Sequence, residues 1–325
     1  MAELLEVENL VVRYRAMGQV AALLRGVRDP FLDAVLEVSL ALDTGRTLGI
    51  VGESGSGKST LGRAIMGLVK HSAGTITFDG RHPSGRSDGA LRPWRRQIAL
   101  MFQDPVASLS PRLTVRSLIT EPFRIHGLAA RDLDAEAGRL LRMVGLDPGF
   151  GARYPHQLSG GQARRVGVAR ALALSPRLII ADEPTAGLDV SVQGEVLNLM
   201  NRLQRQQGLA YIVITHNLPV VRHISDQLAI MYMGRFVEQG ATRALFARPA
   251  HPYTEALLTA MPVPDPDRRR PPPALRGEVP SLLNRPAGCE FHTRCPYAQE
   301  RCRLERPLPQ LRPPGQTVRC HFPLA

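Results

Sequence analysis

The chain has 325 residues, a formal net charge of +12, and 44% hydrophobic against 22% charged residues. This composition excludes a disordered, fibrous or disulfide-stapled protein, and the length is sufficient for two compact units. A charge of +12 ordinarily points to nucleic acid or an anionic membrane surface as a partner. Only Lys58 and Lys70 are lysines, so the charge is almost entirely arginine, which indicates a solvated basic surface rather than a binding patch.

The first residues do not have the pattern of a secretory signal peptide, because residues 1–6 are acidic and have no apolar core. A run of 18 or more apolar residues, which a membrane-spanning helix needs, does not occur in the sequence. We therefore expect a soluble, cytosolic protein.

Short apolar runs alternate with helical patterns over the first three quarters of the chain. Four runs have the length and β-branched content of buried strands: 48–51, 75–78, 178–181 and 211–214. Strands covered on both faces predict an α/β fold in which helices surround a parallel or mixed sheet.

A phosphate-binding loop follows the first of these strands and opens a helical pattern. Its residues are Gly52, Glu53, Ser54, Gly55, Ser56, Gly57, Lys58, Ser59 and Thr60. The run fits G-x-x-x-x-G-K-[ST] between a strand and a helix, where glycines let backbone N–H groups surround phosphates. We expect Lys58 to reach the β- and γ-phosphates and the Ser59 hydroxyl to bind Mg²⁺.

The third strand ends in two carboxylates, Asp182 and Glu183. Beside a phosphate-binding loop, Asp182 is placed to hold Mg²⁺, and Glu183 to activate the water that attacks the γ-phosphate.

A second anion-binding helix start lies between these two motifs and contains Ser159, Gly160, Gly161 and Gln162. One chain has little use for two phosphate-binding helix starts. Two chains that face each other head to tail use both.

This run, its position and the motifs around it resemble those of ATP-binding cassette proteins. Gln103 resembles the lid glutamine that senses the γ-phosphate, contacts Mg²⁺ and couples to the membrane subunit. Asp189 resembles the loop that links the two sites across the dimer. His216 resembles the switch histidine that holds the γ-phosphate and the attacking water, and Tyr14 resembles the aromatic residue that stacks on adenine.

The resemblance implies a P-loop NTPase fold with a RecA-like core, an antiparallel β subdomain and a helical signature subdomain at about 104–157. It assigns residues 1–250 to the nucleotide-binding domain and 251–325 to a small Cys-rich extension. A proline-rich stretch around 261–273 predicts a stiff linker between them. Two such chains enclose two ATP molecules and hydrolyse them.

Segments 103–112, 233–240 and 251–258 resemble the ATPase subunits of bacterial dipeptide and oligopeptide importers, and segments 277–280 and 288–296 resemble their C-terminal extension. Residues 59–63 and a long early insertion favour the F-type member of a heterodimeric ATPase pair. The resemblance implies two transmembrane permeases and an extracytoplasmic substrate-binding protein as partners, attachment to the cytoplasmic face of the bacterial inner membrane, and no nucleic acid.

Other activities remain open within the same motifs. Relatives of this group also import nickel chelates or glycosides with the same machinery. A soluble cassette ATPase that acts on ribosomes or DNA is a further alternative, although such proteins usually have two cassettes or a coiled-coil insertion.

The cysteines all lie in the last 40 residues, at Cys289, Cys295, Cys302 and Cys320. Tight C-x₂₋₄-C pairs typical of zinc sites are missing from these spacings, and disulfides are rare in cytosolic proteins. Iron–sulfur sites use four thiolates at varied spacing, and the importer subgroup carries a 4Fe-4S cluster here. A 4Fe-4S cluster, zinc and free thiols remain the alternatives.

Overall fold

The computed structural model of the chain describes residues 3–16, 30–83, 87–102, 108–128, 132–261, 277–313 and 315–325. Within these ranges the strands form a three-stranded and an eight-stranded sheet. The strands are β1 (Glu3–Arg15), β2 (Phe31–Asp43), β3 (Thr47–Val51), β4 (Ala73–Phe78), β5 (Ile98–Met101), β6 (Leu178–Asp182), β7 (Ala210–Thr215), β8 (Gln227–Tyr232), β9 (Arg235–Ala241), β10 (Gln310–Arg312) and β11 (Gln316–Val318).

The helices follow the strands in a mainly alternating order. They are α1 (Lys58–Ile65), α2 (Asp88–Gln97), α3 (Val115–Ile125), α4 (Leu133–Met143), α5 (Gly160–Leu172), α6 (Val190–Gln207), α7 (Leu218–Ile224), α8 (Thr242–Ala247), α9 (Pro252–Thr259) and α10 (Glu300–Leu304). Within the described ranges, the structure shows no helix that combines the length and apolar character needed to cross a bilayer.

The large sheet has the order β10-β11-β9-β8-β3-β7-β6-β5. Strands β5, β6, β7, β3 and β8 are parallel, whereas β9, β11 and β10 extend the sheet in antiparallel pairs. Every residue of β3, β6 and β7 is buried, because helices cover both faces of the sheet. The expected mixed sheet and three of its strands, at 48–51, 178–181 and 211–214, are therefore confirmed.

The strand expected at 75–78 forms but does not belong to the large sheet. It lies in β4, which pairs antiparallel with β1 in the order β2-β1-β4. Its residues alternate between exposed and buried positions, because this small sheet covers the core with one face only. A four-residue apolar run is too short to distinguish these two environments.

Helices α3 and α4 and the start of α5 form a mostly helical unit that shares a hydrophobic cluster with β5 and β6. Thr114 caps α3 and Asp132 caps α4 through hydrogen bonds to backbone N–H groups of the first turn. Two 3₁₀ helices, Pro148–Ala152 and Pro155–Gln157, then lead the chain to α5. This region covers most of the helical segment predicted at about 104–157, although residues 103–107 lie outside the described ranges.

Residues beyond 276 pack directly against the sheet rather than apart from it. Phe291 is fully buried, in the same hydrophobic cluster as Val51 and Tyr232 of the large sheet. Strand β11 also pairs with β9. The C-terminal residues therefore extend the large sheet beyond β9. The predicted linker falls mostly within 262–276, outside the described residues.

Candidate functional site

The loop between β3 and α1 is shaped by glycines that no larger residue could replace. A Cβ atom on Gly52 would lie 2.1 Å from the carbonyl oxygen of Met231, and one on Gly57 would lie 2.1 Å from that of Ala34. Gly57 also has a φ of 102° and begins α1 without a side-chain cap. The first N–H groups of α1 therefore have no side-chain cap, which is the arrangement that a phosphate-binding helix start requires.

Lys58 lies across this loop. Its Nζ donates hydrogen bonds to the carbonyl oxygens of Gly52 at 2.7 Å and Glu53 at 2.8 Å, and to the Ser56 hydroxyl at 3.2 Å. Burial lowers the pKa of Lys58, while the carboxylates of Glu183, Asp182 and Glu53 oppose that shift. The ammonium group is held close to the turn in which phosphates bind in P-loop proteins.

Asp182 stands at the carboxyl end of β6, facing the start of α1. The pKa of its carboxyl group is raised, because burial outweighs the opposing effect of a hydrogen bond with Ser59. A hydroxyl and a partly buried carboxylate in contact match the oxygen ligands that Mg²⁺ takes from a protein. The sequence-predicted pair for the metal is therefore brought together.

Glu183 is held through both its backbone and its carboxylate. Its φ is 51°, an uncommon left-handed conformation for a residue other than glycine, and its N–H donates to the carbonyl oxygen of Ile214 at 2.8 Å. The Thr215 hydroxyl donates to Oε2 at 2.8 Å, whereas the His216 N–H donates to Oε1 at 3.0 Å and its Nδ1 lies 2.6 Å from the same atom. Both carboxylate oxygens are thus fixed, and His216 joins Glu183 directly.

These residues line one open cleft of about 790 Å³. Besides the P-loop, Asp182, Glu183 and His216, it is lined by Tyr14 and by Leu282 of the C-terminal region. Tyr14 is 37% exposed and pairs with Leu32 across β1 and β2. The cleft therefore brings a phosphate-binding loop and an exposed aromatic ring together, as the expected adenine-stacking role of Tyr14 requires.

The signature run does not line this cleft. Ser159 caps α5 in a reciprocal box, in which its hydroxyl accepts from the Gln162 N–H and its own N–H donates to Gln162 Oε1. Ser159 and Gly160 are exposed, and Gly161 and Gln162 are half-buried. A helix start that is accessible but outside the chain's own cleft suits a ligand held between two chains.

Another predicted residue, Asp189, does not line the cleft either. Asp189 is exposed and caps α6, where it accepts from the Ser191 hydroxyl at 2.6 Å and the Val192 N–H at 3.0 Å. These hydrogen bonds, first that of Ser191, lower its pKa. Gln103 lies outside the described residues.

The structure adds site residues that the sequence did not reveal. Thr215 holds Glu183, as described above, and the buried Arg164 donates to the carbonyl oxygen of Ala186 at 2.7 Å in the turn that follows Glu183. Tyr253 and Arg294 contact Glu53 of the P-loop from the C-terminal region. The position of Thr215 beside His216 was the available signal for the first, whereas the others carry no signature in the sequence.

The four cysteines lie in the C-terminal region, three of them buried. Burial raises the pKa of Cys289 to about 12 and that of Cys320 to about 11, and the neighbouring thiols add to both shifts. Among the described residues, which include all four cysteines, no three Cys, His, Asp or Glu side chains come together as ligands of a metal ion. The structure thus contains four neighbouring thiols without a preformed single-metal site.

Comparison with protein families gives two matches. Residues 35–186 match the ABC transporter family, and residues 237–302 match the family described as the C-terminal region of oligopeptide/dipeptide transporters.

Curated relatives match over nearly the whole chain. The oligopeptide transport ATP-binding protein AppF of Bacillus subtilis is 49% identical over 293 residues, covering 89% of both chains. The corresponding OppF of Salmonella typhimurium is 48% identical over 281 residues, covering 85% of this chain and 84% of OppF. The di/tripeptide transport protein DppF of Pseudomonas aeruginosa is 46% identical over 286 residues, covering 87% and 88%.

Solved structures agree in fold. A dimeric, post-hydrolysis ATP-binding cassette bound to ADP and phosphate matches with a TM-score of 0.64 at 30% identity, over 74% of this chain and 99% of that one. CbiO1 of Clostridium perfringens, part of an ABC transporter complex, matches with a TM-score of 0.63 at 26% identity, over 76% and 92%. The chain therefore belongs to the family of ABC transporter ATP-binding proteins.

Proposed function

We propose that this chain is the ATP-hydrolysing subunit of an importer for oligopeptides or dipeptides. One observation carries the chemistry: Lys58, the Ser59–Asp182 pair and the Glu183–His216 pair all lie in a single cleft. The match of residues 237–302 to the peptide-transporter C-terminal region, together with the peptide-transport relatives, supports the cargo class. Nickel chelates and glycosides are the alternative cargoes.

The residues of the cleft divide the work of phosphoryl transfer. The loop N–H groups and Lys58 bind the phosphates, and Ser59 and Asp182 would hold Mg²⁺, which would neutralise charge on the transferred group. Glu183 takes a proton from the attacking water. At the same time the water oxygen bonds to the γ-phosphorus, and the bond between the γ-phosphorus and the β–γ bridging oxygen breaks. His216 contacts Glu183 through Nδ1, so its other ring nitrogen, Nε2, is left to contact the γ-phosphate.

The signature run supports a paired assembly in which two chains complete each site. The capped start of α5 is accessible yet does not line its own cleft, so Ser159 to Gln162 act on ATP bound by the other chain. Asp189 belongs to the same dimer contact, and Gln103 to the link with the membrane subunits. We assign the second chain to a homologous ATPase, with this chain as the F-type member of the pair.

Transport coupling is tested with the assembled complex. We expect ATP hydrolysis by this chain to rise when it is reconstituted in lipid with its permeases, its partner ATPase and a peptide-loaded binding protein. Ribosomes or DNA, added in place of the permeases and binding protein, test the alternative of a soluble cassette ATPase. Stimulation by either of these, with none by permeases and binding protein, would contradict a peripheral importer subunit.

We propose that the four thiols hold an iron–sulfur cluster rather than a single metal ion. Neighbouring thiols contribute, after burial, to the raised pKa values of Cys289, Cys295 and Cys320, and the N–H of Cys289 donates to the carbonyl oxygen of Cys302 at 2.8 Å. A cluster is wider than one ion, so its ligands need not converge as those of zinc do. When bound, a 4Fe-4S cluster would be held by Cys289, Cys295, Cys302 and Cys320.

Metal analysis distinguishes the three alternatives for the cysteines. We expect anaerobically purified protein to be brown and to contain iron and sulfide in equal amounts. The Cys295→Ser variant, with one thiolate fewer, is expected to lose most of the iron. Zinc without iron in the wild-type chain would indicate a zinc site instead of the cluster. Neither metal would indicate free thiols.

A further inference from the structure

The second residue of the P-loop, Glu53, is held by the C-terminal region. Its carboxylate accepts two hydrogen bonds from Arg294, at 2.8 Å from Nη1 and 3.1 Å from Nη2, in a bidentate ion pair. Its N–H donates to the Tyr253 hydroxyl at 3.0 Å. Both partners are at least 200 residues away in the sequence, so the contact depends entirely on how the C-terminal region packs.

Arg294 is itself firmly placed. Its side chain is 8% exposed, and its guanidinium lies 5.9 Å from the ring centroid of Tyr232. The rings of Tyr232, Tyr253 and Phe291 pack together with centroid separations of 4.8 to 5.4 Å. A guanidinium buried beside packed rings loses little further freedom when it forms a bidentate pair, so the pair has a defined geometry.

Glu53 transmits that geometry to the phosphate site. Its carbonyl oxygen accepts from Lys58 Nζ at 2.8 Å and from the Ser56 N–H at 3.2 Å. A shift of the Glu53 backbone would therefore move the acceptor that places the lysine and the turn that surrounds the phosphates. Small displacements of groups that bind phosphate weaken nucleotide binding, because the strength of these contacts depends on their distance and angle.

We propose that Arg294, in the cysteine-containing C-terminal region, is a positioning residue for nucleotide binding. It acts by holding Glu53 of the P-loop in place. Tyr253 supports the same residue through its hydroxyl. Arg294 directly precedes Cys295 and lies five residues after Cys289, so the cysteine loop becomes an outer part of the nucleotide site. The proposal rests on the nucleotide site proposed above and adds a residue from outside the cassette motifs.

The test measures MgATP binding to the full-length chain by calorimetry, together with KM and kcat for hydrolysis. We expect Arg294→Ala to raise the dissociation constant and KM for ATP about tenfold, the loss typical of a charge-assisted hydrogen bond, with kcat changed less than about twofold. Lysine keeps the charge but not the fork, so Arg294→Lys should fall between alanine and wild type. Tyr253→Phe removes one hydroxyl and should raise the constant about threefold.

Arg301→Ala is the matched control in the same region. It breaks an exposed ion pair with Glu305, whose two side chains are 60% and 59% exposed, and it should leave ATP binding unchanged. Glu53→Gln weakens the Arg294 pair from the other side without removing a buried side chain. In the double variant with Arg294→Ala, we expect a loss no larger than that of the stronger single change.

Specific outcomes overturn the proposal. Wild-type ATP affinity in Arg294→Ala, an equal loss in Arg301→Ala, or strictly additive losses with Glu53→Gln would each show that Arg294 does not act through Glu53. If Arg294→Ala does not fold, wild-type affinity in Glu53→Gln overturns the proposal in the same way. Failure of the wild-type chain to bind ATP at all would instead contradict the proposed function, so the two failures are distinguishable.

Discussion

Replacing Glu183 by glutamine should leave ATP binding intact and lower the rate of hydrolysis by roughly 10²- to 10⁴-fold, the range for loss of a general base. Glutamine retains an oxygen that can accept from Thr215 or His216, so the shape of the site survives while the proton acceptor is lost. The expected readouts are a near wild-type dissociation constant for MgATP and a low turnover number for the reconstituted complex. With hydrolysis blocked, the paired chains should also stay associated longer in MgATP.

Glu195→Gln is the control for this change. Glu195 is a carboxylate on α6 that pairs with Arg165 and is 60% exposed, and it does not line the cleft. Its variant should hydrolyse ATP at the wild-type rate, since exposed pairs contribute little. Normal turnover in Glu183→Gln would show that another group accepts the proton.

Replacing Lys58 by alanine should weaken MgATP binding by about 10²-fold or more, because a buried ammonium group forms charge-assisted hydrogen bonds with phosphate oxygens. The same change removes the three hydrogen bonds that Nζ donates within the loop. Binding measured by calorimetry, with ADP in parallel, reports the loss. Hydrolysis should fall with it at any ATP concentration that leaves the variant unsaturated.

The other lysine of the chain provides the control. Lys70 is exposed and lies beyond α1, so Lys70→Ala changes the net charge by the same amount without touching the loop. It should bind MgATP as the wild type does. Equal weakening in both variants would indicate a general electrostatic effect and contradict a specific role for Lys58.

Much of the fold and part of the site were predictable because their causes are local. A strand buried on both faces is apolar at nearly every position, so β3, β6 and β7 could be predicted directly. The P-loop could be predicted because its glycines recur at a fixed local spacing. They are required there by close approaches such as that of Gly57 to Ala34. The strand at 75–78 was found but assigned to the wrong sheet, since a short apolar run does not say which strand it will pair with.

The contacts that complete the site are long-range and could not be predicted in this way. Glu183 adopts a left-handed backbone conformation, and its carboxylate is held by residues more than 30 positions later. Tyr14, from β1, lines the same cleft beside Leu32 of β2, the strand with which β1 pairs. Arg294 reaches Glu53 from 241 residues away, with no repeated spacing or motif to announce it.

The amino-acid sequence by itself determined the phosphate-binding chemistry, the family resemblance and the main buried strands, because each depends on residue types within a few positions of one another. Only the tertiary structure decided which groups fix Glu183 and that the C-terminal region holds the P-loop. Those outcomes depend on hydrogen bonds and ion pairs a few ångströms long between distant segments. Such contacts form where packing of the core places the segments, and a single sequence does not record that placement.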